Sequence, residues 1–296
     1  MKLAISGQLL GGTQSLPQIL EVLRSLGVDA IDLWPHNLEG GEAPEERGRY
    51  ERKDVGAARR ALDAAGVSAA CVTLGFRAMA RCGAEGPGAG TEALRGAVDA
   101  AAALGAPLVN CYLAGLPPSV FVEAMRPAAG YAGSRGVTIV LENEAHDDSG
   151  PAESVRAMID AVGSPHFGAL YDPCNFYHAN EEPYPYAYEV LEDTIRYVHL
   201  KGGCWYNPKG RPGEHRGGTM RGSADRYIGY VAVPEAAFNV DAILRRLARD
   251  GYDGFVSLEP HVPAAHALDF YDVEVPYVRT RLGASADAQG SPARPG

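Results

Sequence analysis

Four acidic or imidazole residues stand at the ends of short apolar runs in the second half of this chain. The runs are Ile139-Val-Leu-Glu142, Gly168-Ala-Leu-Tyr-Asp172, Tyr197-Val-His199 and Phe255-Val-Ser-Leu-Glu259. If the runs are parallel strands of one closed sheet, their ends converge on one pocket. Two Glu, one Asp and one His there would make an oxygen-rich site with a single imidazole. Such a set suits Mn²⁺, Mg²⁺ or Co²⁺ better than thiolate-loving zinc. Three carboxylates that face one another repel unless a cation lies between them, and that repulsion is the reason to expect a metal. Taken singly, each acid also reads as the N-cap of a following helix, most naturally Asp172 before Pro173. Four at successive strand ends favour a shared site.

Other side chains fall on the same face. Lys201 lies two positions beyond His199, so in an extended strand both point to one side. It could bind a carboxylate or phosphate, steady an enolate, or be a surface lysine. His261 could contact a substrate or cap its loop. Trp34 and His36 end the second apolar run, where a Trp either stacks on a sugar ring or packs in the core. Asn143 and His146 neighbour Glu142, and Asn143 could support the site from behind. Arg211, Arg216 and Arg221 could cover an anionic substrate or sit in solvent. Tyr184, Tyr186 and Tyr188 read as packing or an oligomer contact.

Eight β-rich runs would have to position these residues: Lys2–Ser6, Ala30–Leu33, Val67–Thr73, Leu108–Tyr112, Thr138–Glu142, Gly168–Asp172, Tyr197–Leu200 and Phe255–Glu259. Between them lie segments such as Pro17–Leu26, Val55–Ala65, Glu92–Leu104 and Val240–Ala248, whose apolar residues recur at the helical period. Gly27, Gly66, Gly105, Gly136 and Gly251 each separate a helix from the next strand, where Gly accepts the left-handed backbone that closes a helix. Alternating helices and strands predict a parallel sheet. Eight units predict a single-domain (β/α)8 TIM barrel over residues 1–283, with a doubly wound open sheet as the alternative. No G-x-G-x-x-G follows the first strand, which weakens a dinucleotide site. Three stretches fall outside simple units: Pro35–Asp54, Arg81–Gly90 and Gly202–Pro234. All follow strand C-terminal ends, the face on which barrels build active sites. The long third stretch is expected to be a lid or pocket wall. Residues 284–296 are expected to form a disordered tail.

With 296 residues and 46% hydrophobic content, the chain can bury a sizeable core. A net charge of −10 argues against nucleic acid as a partner. No apolar run approaches the roughly 20 residues of a membrane span. The five scattered cysteines form no C-x-x-C pair, so reduced thiols in a cytoplasmic protein fit best.

Leu141-Glu-Asn-Glu144, Tyr171-Asp-Pro-Cys-Asn-Phe-Tyr177, Tyr197-Val-His-Leu-Lys-Gly202 and Gly251-Tyr-Asp-Gly-Phe-Val-Ser-Leu-Glu-Pro-His261 together resemble the xylose-isomerase-like sugar-phosphate isomerase/epimerase superfamily. That superfamily includes D-tagatose 3-epimerase-like and inosose-dehydratase-like TIM barrels. The resemblance covers about residues 2–282. It implies one divalent metal held by Glu142, Asp172, His199 and Glu259, with Mn²⁺ the first choice and Mg²⁺, Co²⁺ or Zn²⁺ as alternatives. It also implies that Glu142 and Glu259 act as the acid/base pair. Asn175, a candidate substrate contact, stands where the epimerase branch commonly has a His three residues after the metal-binding Asp.

The implied activity is isomerisation or epimerisation of a ketose, sugar phosphate or related polyol ketone through a metal-stabilised enediolate. A lyase is the alternative: a dehydratase of a keto-inositol or keto-sugar, or an enzyme cleaving a 3-keto-glycoside. A His-rich trizinc phosphodiesterase on the same barrel and a non-catalytic binding barrel are weaker readings. The partners implied are a small carbohydrate-like molecule and further copies of the chain.

Overall fold

A computed structural model describes residues 1–41, 49–206, 219–221 and 227–289. In chain order the strands are β1 (Lys2–Ser6), β2 (Ala30–Leu33), β3 (Ser68–Thr73), β4 (Leu108–Cys111), β5 (Thr138–Glu142), β6 (Phe167–Tyr171), β7 (Ile195–Leu200), β8 (Gly202–Tyr206), β9 (Thr219–Arg221), β10 (Tyr227–Val231) and β11 (Phe255–Leu258). The α-helices are α1 (Leu16–Leu26), α2 (Val55–Ala65), α3 (Phe76–Glu85), α4 (Pro87–Leu104), α5 (Pro118–Ser134), α6 (Ala152–Val162), α7 (Pro173–His178), α8 (Tyr188–Leu191), α9 (Val240–Arg249) and α10 (Ala267–Gln289).

β1 to β7 and then β11 pair in parallel and in sequence, and β11 returns to β1 to close the barrel. This is the expected (β/α)8 barrel. The joints between helices and strands explain part of its regularity. Gly27, Gly66, Gly105, Gly136 and Gly251 all have φ between 65° and 77°, the left-handed region in which a side chain is strained. Each ends its helix and turns the chain back to the next strand.

The inside of the barrel is layered. Strand side chains alternate between faces, and Ala4, Ala30, Leu108, Val140, Leu170 and Tyr197 pack together as an inner apolar cluster. Two positions further along the same strands, on the same face, come Ser6, Asp32, Asn110, Glu142, Asp172 and His199. One period-2 pattern therefore gives a dry plug below and a polar floor above it. The larger apolar core lies between the strands and the surrounding helices. It includes Ile19 and Leu23 of α1, Leu62 of α2, Leu94 and Val98 of α4 and Ile243 and Leu247 of α9.

The stretch Arg81–Gly90 is helical rather than irregular. It ends α3 and begins α4, with the break at Gly86. Gly90 is a packing glycine: a side chain there would run into Cys82, and Met79 and Ala124 lie close by.

Gly202–Pro234 departs from a simple unit, as expected. β8, β10 and β9 form a separate three-stranded antiparallel sheet in that order. A side chain at Gly202 would collide with the carbonyl oxygens of Val231 and Ala232, so glycine permits the tight exit from β7. Residues 207–218, which include Arg211 and Arg216, lie outside the described residues, and of Arg221 only the backbone is described. The tail expected from residue 284 falls partly on α10, which runs to Gln289. Its remaining seven residues lie outside the described ones. No described helix is long and apolar enough to cross a membrane.

Candidate metal centre

β5, β6, β7 and β11 are neighbours in the ring. Their ends bring Glu142, Asp172, His199 and Glu259 together, with one potential ligand atom from each and all four atoms within 4.8 Å of one another. All four residues are buried.

Each of the four side chains is held from behind. Asp172 is the N-cap of α7, and its Oδ1 accepts from the backbone N–H of Cys174 (2.8 Å) and Asn175 (3.0 Å). Its Oδ2 stays turned to the cluster. Asn143 clamps the Asp172 backbone in both directions, donating to its carbonyl (3.0 Å) and accepting from its N–H (2.9 Å). Glu142 Oε2 accepts from Asn110 Nδ2 at 2.7 Å. Its Oε1 lies 3.4 Å from Asn175 Nδ2, which also donates to the Asn143 carbonyl. Glu259 Oε1 accepts from Ser6 Oγ (3.2 Å), and Ser6 in turn accepts from Trp34 Nε1 (3.1 Å).

Asp32 is the anchor for His199. Its carboxylate accepts from His199 Nε2 at 3.0 Å, from Ser257 Oγ at 2.8 Å and from the Tyr197 hydroxyl. With Nε2 engaged by Asp32, the other ring nitrogen points into the cluster. Nδ1 lies 3.5 Å from Glu142 Oε1 and 3.4 Å from Glu259 Oε2. A carboxylate behind a histidine is the usual means of fixing the tautomer of a metal ligand.

Two observations fit this cluster to a divalent cation. His199 Nδ1 is buried without a hydrogen-bond partner, and Asp172 Oδ2 has only its ion pair with Lys201, although buried polar atoms are normally satisfied. The donor set is three carboxylates and one imidazole, which hard and borderline divalent ions accept.

Lys201 enters from the end of β7. Its Nζ sits 3.1 Å from Glu259 Oε2 and makes a hydrogen bond. It also pairs with Asp172 Oδ2 at 2.6 Å. Burial disfavours every charge here, yet the pairings outweigh it at Glu142, Glu259, His199 and Lys201. Despite burial, His199 holds Glu142 below the usual carboxylate value. Despite burial, His199 and Lys201 hold Glu259 well below the usual carboxylate range. Despite burial, Asp172, Glu259 and Glu142 hold the Lys201 ammonium well above its ordinary value. His199 is likewise raised by Glu259 and Glu142 against its own desolvation.

Above the cluster opens a cavity of about 140 Å³, walled by Trp34, Phe76, Tyr112, Glu144, Asn175, Lys201, Tyr230 and His261, with Glu142 and Glu259 at its base. Five of the residues proposed from sequence as catalytic or substrate-binding after Glu142 and Glu259 are Lys201, His261, Trp34, His36 and Asn175, and four of these line it. His36 is not among the lining residues and bonds the Gln8 carbonyl at 3.0 Å. His261 lies 3.6 Å from Glu259 Oε2 and packs on the Tyr230 ring. Burial pushes the Glu144 carboxyl up to about 7.

Ser6, Asp32, Asn110, Tyr112, Glu144 and Tyr230 escaped the sequence reading. For Ser6, Asp32 and Asn110 a signal existed: each is a polar residue two positions after an apolar one at the end of a strand, in the same phase as Glu142. Tyr230 arrives on β10 and had none.

No curated protein sequence matches the chain. Solved structures of the same fold include an L-ribulose 3-epimerase (16% identity, 100% of each chain covered, TM-score 0.70). A probable 3-DHS dehydratase, AsbF, from Bacillus anthracis is similar over 94% of this chain and 99% of that one (17% identity, TM-score 0.66). A Mycobacterium smegmatis protein solved in complex with magnesium is similar over 91% of this chain and 88% of the other (16% identity, TM-score 0.67). At these identities the likeness establishes the fold. The family model described as xylose isomerase-like TIM barrel matches residues 20–273, and the chain belongs to that family.

Proposed function

We propose that this protein is a divalent-metal-dependent isomerase or epimerase acting on a ketose or related polyol ketone. The observation that carries the reading is that Glu142 and Glu259 belong to the four-residue cluster and also form the base of the cavity. Glu142, Asp172, His199 and Glu259 would hold the metal. When bound, such an ion supplies Lewis acidity toward neighbouring oxygens of a hydroxy-ketone and makes the adjacent carbon-bound proton easier to remove. The chain's own groups do the rest. Glu142 and Glu259 stand on strands separated by β6 and β7, so two carboxylates reach the cavity from different sides of the ring. One removes a proton from carbon and the other returns it. Trp34, Phe76, Tyr112 and Tyr230 offer apolar faces to the ring of a sugar and narrow the access of water. Asn175 and His261 offer polar contacts to its hydroxyls. The five free cysteines suit a reducing compartment such as the cytoplasm.

A lyase is the second reading, and Glu144 favours it. This carboxyl lines the cavity without belonging to the metal cluster. It could serve as a third proton-carrying group that delivers a proton to a departing β-hydroxyl. Incubation of the Mn²⁺-loaded protein with a panel of ketoses, sugar phosphates and keto-inositols in D2O separates the readings. Carbon-bound deuterium without water loss supports the first, and an enone chromophore supports the second. A panel that shows neither rejects both.

A further inference from the structure

Lys201 lies inside the cluster rather than beside it. β7 alternates, so Tyr197, His199 and Lys201 share one face. The first lies in the apolar plug, the second in the polar floor and the third at the base of the cavity. The Lys201 side chain is 2% exposed. A lysine so deeply buried is costly unless paired, and both partners here, Asp172 and Glu259, belong to the metal-type cluster.

The charges can be counted. Glu142, Asp172 and Glu259 supply three negative charges when ionised, and the Lys201 ammonium cancels one. With His199 neutral, as coordination of a metal requires, the remainder equals the charge of one divalent cation with the sign reversed. The ammonium therefore does two things at once. It draws together carboxylates that would otherwise repel, and it opposes any second cation that approaches the same oxygens.

We propose that Lys201 is a resident cation of this centre, holding the carboxylates together in the metal-free protein and lowering the affinity for the divalent ion, which draws Asp172 and Glu259 away from it. This rests on the metal reading given above. It assigns Lys201 a role toward the metal that is separate from any contact with substrate.

The test uses Lys201→Met, which removes the charge, and Lys201→Arg, which keeps it. Mn²⁺ binding is followed by electron spin resonance, and melting is measured with and without the ion. The Met variant should bind Mn²⁺ at least about tenfold more tightly than wild type, and the Arg variant within about threefold of it. Metal-free Lys201→Met should melt below wild type and recover when Mn²⁺ is added. Equal or weaker binding by the Met variant overturns the proposal.

A second measurement needs no variant. The chain has four lysines, Lys2, Lys53, Lys201 and Lys209, so their ammonium ¹⁵N resonances can be followed in the wild-type protein. Diamagnetic Mg²⁺ should shift the Lys201 signal and leave Lys2 and Lys53 in place. A Lys201 signal unmoved at saturating Mg²⁺ overturns the proposal even if the Met variant does not fold. Failure of the metal reading looks different: wild type and Lys201→Met then take up neither Mn²⁺ nor Mg²⁺, and both ideas fall together.

Discussion

Asp172 divides its two oxygens between the fold and the site. Oδ1 caps α7 while Oδ2 faces the cluster, so the capping and ligand readings of this residue are both compatible with its geometry. Glu142 and Glu259 each combine a supporting hydrogen bond, from Asn110 and Ser6, with an oxygen turned inward. Glu→Gln keeps the size and one oxygen donor of these residues and removes the base. Glu142→Gln and Glu259→Gln should retain part of the metal yet lose about 10² to 10⁴ in turnover, the usual worth of general acid–base help. Near wild-type exchange of substrate protons with D2O in either variant would reduce that residue to a ligand alone. Asp32 acts one step further out, through His199. Asp32→Asn should weaken Mn²⁺ binding by about 10- to 100-fold, as loss of such supporting partners generally does. An unchanged Mn²⁺ titration curve would show that the barrel wall, not Asp32, orients the imidazole.

At the scale of elements, α10 is tied to the end of the inserted sheet by one buried carboxyl. Glu274 Oε1 accepts from the Val233 N–H at 3.0 Å, while Oε2 has no partner. Burial pushes its pKa from 4.5 up to about 8. The folded protein therefore keeps this proton where the unfolded chain has released it. Stability should fall as pH rises from about 4.5 to about 8, by up to roughly 1.4 kcal/mol per pH unit. Glu274→Gln stays neutral throughout, so its melting temperature should fall less across that window. Parallel melting curves for the two proteins from pH 5 to pH 8 would show that Glu274 is already ionised in the fold.

Legibility also differed by element. The eight barrel strands could be found because each is a short apolar run bounded by turn residues, and a glycine marks five of the returns. The four residues of the candidate metal cluster could be found because a charge at the end of an apolar run is conspicuous. Ser6 and Asn110 are small polar residues of a kind that often faces water, and their inward phase matters only once the barrel closes. Arg81–Gly90 falls outside a simple unit because it joins two helices, α3 and α4, and its glycines do not show that in the sequence. Gly90 is there for lack of room against Cys82. Tyr230 reaches the cavity through antiparallel pairing across an insertion, a long-range register that no local pattern encodes.

On the scale of the whole molecule, the metal is expected to act as a clamp. Its proposed ligands come from four contiguous strands of an eight-stranded ring, β5, β6, β7 and β11, and the chain carries a net charge of −10. An ion that binds the folded but not the unfolded chain adds about 2.7 kcal/mol at a hundredfold excess over its dissociation constant. For a domain of this size that is a rise of roughly 4 °C in melting temperature. Treatment with a chelator should remove the rise, and Mn²⁺ should restore it. Asp172→Ala and His199→Ala should hold no metal by elemental analysis and should melt at the same temperature with and without chelator. The absolute melting point is a poor guide, because Asp172→Ala also uncaps α7 at a cost of about 1 kcal/mol. The chelator-dependent difference isolates the metal from the cap, since the cap is lost equally under both conditions. Full metal content in both variants would remove Asp172 and His199 from the coordination shell, and with them the clamp.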